Sequence, residues 1–263
     1  MRHLIDVVRK LRGPDGCPWD REQTPMSIRS FIIEEAHEVV EAIESGDPSH
    51  FAEELGDVLF HIILLSRMAE EENLFSLSKV AEGVSEKLVR RHPHVFGDAA
   101  VKNSADVEKS WEKIKAVEKG RRKSIGEGIP KTIPALTRAM RVSERAARKG
   151  FDWENIEGIF EKFREEVDEL KNEIPGDRVK GNKKAGSTQR IEEELGDVLF
   201  VIVNLARHLG VDAEMALNGC TRRFCGRFDM MESLIKQAGK EIEKIGLREM
   251  EDTWQTAKKL IHN

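Results

Sequence analysis

Apolar residues recur three and four positions apart along most of the chain, and alternation with a period of two is nearly absent. That spacing, filled with strong helix formers, predicts helices over Ser27–Ser45, Ser49–Glu72, Ser76–Arg91, Ile156–Glu173, Thr188–Leu209 and Ala213–Ala238. Shorter helices are predicted around Trp111 and Trp254. Met1 to Arg12 mixes charged and apolar residues as a helix does and not as a signal peptide does. Asp47-Pro48-Ser49 reads as a turn followed by a helix cap. Two runs are apolar almost all round, Val58–Leu65 and Val198–Val203, which predicts helices buried inside a bundle.

Two segments interrupt the periodicity. Residues 119–134, rich in Gly, Pro and basic side chains, read as an interdomain linker. Ile174–Arg190 has the same character and is predicted to be a mobile loop between two helices. On either side of the linker the chain repeats itself. EELGDVLF occurs at Glu53–Phe60 and again at Glu193–Phe200. Upstream, Glu34-Glu35-Ala36-His37-Glu38 matches Glu165-Glu166-Val167-Asp168-Glu169. Downstream, Lys87 and Arg91 match Arg223 and Arg227, and Trp111 to Lys115 matches Trp254 to Lys258. Landmarks recurring in one order indicate an internal duplication. The expectation is an all-α protein of two tandem helical-bundle domains, 1–118 and 135–263.

Charge and composition narrow the function classes. With 263 residues, 35% charged and a formal net charge of −5, the chain has no broad basic surface, so nucleic acid is not an expected partner. No apolar run approaches the roughly 20 residues of a membrane span. The three cysteines, Cys17, Cys220 and Cys225, have neither redox-pair nor zinc-clip spacing. These features predict a cytoplasmic protein with reduced thiols.

The duplicated acids carry the chemistry. Residues three or four apart share a helix face, so Glu35 projects with Glu38, and Glu54 with Asp57. The second copy repeats this with Glu166, Glu169, Glu194 and Asp197. Each second pair precedes an apolar run, so packing the two helices together gathers four carboxylates at the edge of a core. Repulsion and desolvation oppose that unless protons, Lys/Arg or cations intervene. An all-oxygen donor set selects Mg²⁺, with Mn²⁺ as the alternative. Glu34 and Glu165, next to the ligand pairs, are candidates for orienting an attacking water. The basic pairs Lys87/Arg91 and Arg223/Arg227 each share a face and suit phosphate oxygens. Trp111 and Trp254 suit stacking on a base.

These acids, together with CPWDREQT at Cys17–Thr24 and RRHPHVFGD at Arg90–Asp98, resemble the MazG family. That family comprises nucleoside triphosphate pyrophosphohydrolases of the all-α NTP pyrophosphatase type. The resemblance covers essentially the whole chain. It implies hydrolysis of NTPs or dNTPs between the α and β phosphates with Mg²⁺, a homodimer, and a role in nucleotide-pool housekeeping. It also implies that the C-terminal copy is the working one. There Glu165, Glu166, Glu169, Glu194 and Asp197 would be catalytic, and the last four would hold the metal. Lys162, Arg190, Glu193, Arg223, Arg227 and Trp254 would contact the nucleotide. Arg190 and Arg223 stand where lysines are common in the family, Thr221 where Asn is frequent, and the loop Ile174–Arg190 is longer. Glu35, Glu38, Glu54 and Asp57 would form an N-terminal metal or regulatory nucleotide site.

Two alternatives stay open on the residues alone. A helical module could sense nucleotides without turnover. A di-iron carboxylate bundle would use Glu-x-x-His, which Glu34 and His37 fit, although the second copy has Asp168 in place of the histidine. His92-Pro93-His94 reads as a structural turn. The glycines at 120, 126 and 128 lack the Gly-Lys-Ser/Thr ending of a P-loop.

Overall fold

The computed structural model describes residues 1–119, 124–174 and 185–261. The chain divides into two compact units, Met1–Arg121 and Arg122–Asn263. Among the described residues every regular element is helical. The first unit holds α1 (Arg2–Leu11), α2 (Pro18–Glu22), α3 (Pro25–Ser45), α4 (Pro48–Glu71), α5 (Leu77–Arg91), α6 (Pro93–Phe96) and α7 (Ser104–Lys119). The second holds α8 (Ala135–Ala147), α9 (Ile156–Glu173), α10 (Ala185–His208), α11 (Ala213–Gln237), a 3-10 turn at Ile242–Lys244 and α12 (Leu247–Ile261).

Local chemistry fixes where the long helices start. Thr24 and Ser27 form a capping box ahead of α3, each side chain meeting the other's backbone N–H. Asp47 caps α4 by accepting from Ser49 N at 2.8 Å, with Pro48 at the first helical position. Gly46, at φ +70°, ends α3 in the left-handed region that side chains avoid. The turn between α3 and α4 is therefore two residues long, and the helices return antiparallel. In the second unit Asn155 caps α9 and Asp212 caps α11.

Corresponding helices pack on one another in both units. α3 lies on α4 as α9 lies on α10, and α5 meets α7 as α11 meets α12. The first core gathers Val8, Ile28, Ile63, Leu64 and Met68. Each fully buried aliphatic side chain of this kind contributes roughly 1.5–3 kcal/mol. The second unit uses a polar device at the matching depth. Leu64 is seven residues after Asp57, and seven after Asp197 stands the buried Asn204. Its Nδ2 donates to Phe200 O at 2.9 Å, while its Oδ1 accepts from Ser143 Oγ. Arg207 Nε in turn donates to Ser143 Oγ at 2.8 Å and its guanidinium grips Asp152. Hydrogen bonds at both ends of the buried amide offset the cost of taking it out of water.

Three expectations change here. The all-round apolar runs are not buried all round: Ile62 on α4, and Leu199, Phe200 and Ile202 on α10, are exposed, as are Leu55 and Leu195 just ahead of the runs. Neighbouring helices of the same unit cover only part of each cylinder and leave a stripe bare. The loop expected over Ile174–Arg190 is shorter, because α10 already begins at Ala185. Gly, Ser and Thr there read as loop, but they extend a helix stabilised further on by Gln189 donating to Glu193 at 3.0 Å. Residues 175–184 of that loop lie outside the described residues. Within the expected linker, Arg145 donates to Ile125 O and Glu127 O, and Ile129 is buried, so 124–134 packs into the second unit.

Candidate active site

The α9–α10 pair assembles the second acidic site. Glu166 on α9 and Glu194 and Asp197 on α10 each offer a carboxylate oxygen within 4.8 Å of the others. Glu166 is 6% exposed. Glu169 falls outside this tight set, yet it is the strongest charged neighbour of Glu194. Burial first, then Glu169, Asp197 and Glu166, push the Glu194 carboxyl upward from its ordinary value. Opposite Mg²⁺ ligands are separated by about 4.2 Å, so the observed spacing fits a small hard cation after slight side-chain adjustment. The donors are all oxygen, as that cation requires.

Lys162, one turn before Glu166, bridges the acids. Its Nζ lies 2.7 Å from both Glu165 Oε1 and Glu166 Oε1, and these bonds push the ammonium's pKa up. Glu165 is exposed and held by that lysine. Glu193 accepts from Gln189 on its own helix. Arg190 reaches Glu173 at 3.5 Å, tying the start of α10 to the end of α9.

Downstream, Arg223 and Arg227 share a face of α11, Arg223 exposed and Arg227 half-buried. Trp254 on α12 is half-buried. Its ring meets Phe224 at 5.1 Å and packs on the core of Met231, Ile235 and Ala257. Part of this ring is therefore committed to packing. Through Phe224 it ties α12 to α11 beside Arg223.

The first unit builds the same scaffold. Glu35 and Glu38 on α3 and Glu54 on α4 form the matching set within 4.8 Å. Asp57 is exposed and lies outside the set, but it adds to the upward push on Glu54 that burial and Glu38 begin. The surroundings differ. His50 Nε2 meets Glu54 Oε1 at 3.1 Å, and the buried His61 Nε2 meets Glu35 Oε1 at 3.3 Å. Phe31 stacks on His61 at 6.2 Å. Sequence reasoning passed over His50, His61 and Phe31. Aligning the copies on their acids would have exposed all three: Phe31 stands where Lys162 does, four residues before the first acid. His50 and His61 stand where Arg190 and Val201 do.

Neither metal set includes a histidine, and both Glu34 and His37 are exposed, so the di-iron pattern is not assembled. None of the three cysteines forms a disulfide. Among the described residues no helix is long and apolar enough to cross a membrane.

A family model described as the MazG nucleotide pyrophosphohydrolase domain matches twice, at residues 23–96 and 154–229. A relative from Thermotoga maritima, named nucleoside triphosphate pyrophosphohydrolase/pyrophosphatase MazG, is 43% identical over 257 residues, covering 97% of this chain and 94% of that one. The Escherichia coli K12 nucleoside triphosphate pyrophosphohydrolase is 39% identical over 259 residues, covering 97% and 96%. A solved structure, that of a mazG-related protein from Thermotoga maritima, is 27% identical. It covers 44% of this chain and 98% of that one, with a TM-score of 0.38.

Proposed function

The chain belongs to the MazG nucleotide pyrophosphohydrolase family, and from that membership we propose that it hydrolyses NTPs and dNTPs between the α and β phosphates, releasing the monophosphate and pyrophosphate. The observation that carries this reading is the gathering of Glu166, Glu194 and Asp197 within 4.8 Å, with Glu169 adjoining. These four carboxylates would hold Mg²⁺, or Mn²⁺ in its place. When bound, the cation neutralises phosphate oxygens and polarises the anhydride.

The chain's own groups do the rest. Lys162 keeps Glu165 and Glu166 oriented through two 2.7 Å bonds, leaving the exposed Glu165 placed to accept a proton from water. Arg223 and Arg227 present forked donors to the triphosphate, with Lys162, Arg190 and Glu193 around it and Trp254 toward the base. Stacking on Trp254 would not select among bases. We place the working site in the C-terminal unit and a metal or regulatory nucleotide site at Glu35, Glu38, Glu54 and Asp57 in the N-terminal one. The exposed stripe of Leu195, Leu199 and Ile202, spaced as one helix face, supports pairing with a second copy of the chain. A housekeeping role in the cytoplasm, on the nucleotide pool, follows from this activity.

The test incubates each NTP and dNTP with the protein and Mg²⁺ and follows monophosphate and pyrophosphate. Release of both in equal amounts is expected. Diphosphate plus orthophosphate would refute the bond assignment, and tight binding without turnover would favour a sensor. Sedimentation of the same protein should give twice the chain mass.

A further inference from the structure

The basic end of the first unit carries a contact for which the second unit lacks the residue. Arg90 Nε donates to Glu118 Oε1 at 2.6 Å, and Arg91 donates through Nε and Nη2 to Glu118 Oε2 at 3.0 and 2.5 Å. Glu118 reaches them from α7. The side chains of Arg91 and Glu118 are 13% and 18% exposed, at the surface of the unit. The Arg91 guanidinium also lies over the Trp111 ring, 5.8 Å from its centre. His92 meets that ring edge-on at 4.8 Å. Both Arg91 donors converge on one carboxylate oxygen, Glu118 Oε2, so two of the N–H groups that an arginine would offer a phosphate are already engaged.

Matching positions in the second unit carry a different residue at the end of the tryptophan-bearing helix. Arg91 is four residues after Lys87, as Arg227 is four after Arg223. Seven residues after Trp111 stands Glu118; seven after Trp254 stands Ile261. One copy therefore brings an anion to its arginine, and the other has an aliphatic side chain at that place. The acids do not distinguish the copies in this way, since all four are retained in each.

We propose that Glu118 is an internal counter-anion which occupies the phosphate-binding face of the first unit and keeps triphosphates off it. The inference rests on the reading that each unit's basic pair faces a triphosphate. Hydrogen bonds from Arg91 and Arg90 hold the Glu118 carboxyl down to about 2, so it stays an anion at any pH where a nucleotide is handled. A ligand phosphate can bind Arg91 in the same way only by displacing a tethered competitor at high effective concentration.

The experiment uses the full chain carrying Asp197→Ala, which disables the second site, and titrates it with Mg²⁺ and the α,β-methylene analogue of ATP in a calorimeter. Glu118→Ile and Glu118→Gln should each tighten binding by about tenfold or more. Adding Arg91→Ala should erase that gain. Unchanged affinity in Glu118→Gln, which keeps the side-chain size and folds if Glu118→Ile does not, overturns the proposal. So does a gain that survives Arg91→Ala. Arg227→Ala in a chain with both sites intact separates the underlying reading. If it weakens analogue binding, basic pairs do face phosphate and the Glu118 result stands by itself. If it does not, that reading fails and the proposal falls with it.

Discussion

The two units hold the same four acids on the same pair of antiparallel helices and differ in the cations they keep beside them. In the second unit a lysine on the acid-bearing helix, Lys162, bonds Glu165 and Glu166. In the first, that position is Phe31, and the partner of Glu35 is His61, from the opposite helix. His50 touches Glu54, where Arg190 instead reaches across to Glu173. The second site is thus flanked by permanent charges, and the first by groups that are charged only when protonated. Further out, Glu118 neutralises Arg91 in the first unit while Ile261 stands at the matching place in the second. A duplication can preserve every candidate metal ligand and still change the field around it. Identity of the acids is therefore a poor guide to equality of function.

The largest expected effect tests which copy works. Glu166→Ala or Asp197→Ala should lower pyrophosphate release by more than about a hundredfold, beyond the loss caused by removing even an outer partner of a metal site. Glu35→Ala should change it far less. Steady-state rates with circular dichroism as a fold control would check this, and the reverse ranking would exchange the roles of the units.

A smaller effect sharpens the likeness of the two acid clusters. Burial raises the carboxyl pKa of both Glu54 and Glu194, each with neighbouring acids adding to it. A raised pKa means that the ionised group is disfavoured in the folded state at neutral pH. In chelated protein, Glu54→Gln and Glu194→Gln should therefore raise the melting temperature. Mg²⁺ at about a hundred times its Kd should stabilise the unaltered protein by about 2.7 kcal/mol, and each variant less. Calorimetric melting with and without chelator reads both. A Gln variant that melts lower in chelator would show that the acids do not repel as described.

The smallest effect concerns the scaffold of the second unit alone. Asp152 is held down to about 2, from 3.8, mainly by hydrogen bonds from Arg207, with His208 adding to them. Because the folded value is depressed, its contribution is fully present above pH 3.8 and is lost as pH falls toward 2. Asp152→Asn should cost about 1 kcal/mol at pH 7, a figure reduced for partial exposure. The difference from the unaltered protein should close across that acid window in melts followed by circular dichroism.

Much of this architecture was legible in the residues. Helical spacing placed Ile156–Glu173 at the bounds found, and it put the others within a few residues except where α10 begins early at Ala185. Asp47 and Ser76 themselves cap α4 and α5 by accepting from backbone N–H groups just downstream, whereas the spacing put a cap after the Asp47-Pro48 turn and Ser76 inside its helix. The pairing of Glu35 with Glu38, or Glu54 with Asp57, followed from helix geometry. Less legible was the tight set, which takes Glu38 but not Asp57 in one unit and Asp197 but not Glu169 in the other. That choice depends on how the two helices rotate against each other, and spacing along one helix does not contain it. The bare stripe on α10 escaped for a similar reason. An apolar run states that burial is favoured without saying which molecule supplies the cover.

The sequence by itself determined the helices, the duplication, and the presence of two acid constellations, because each is a property of local spacing and of order along the chain. Tertiary structure alone decided which charged groups meet between helices. His61 and Glu118 find Glu35 and Arg91 through the packing of α3 on α4 and of α5 on α7, whereas Lys162 and His50 meet acids one turn away on their own helices. Charge interactions depend on distance in space, so two copies with the same acids end in different electrostatic surroundings.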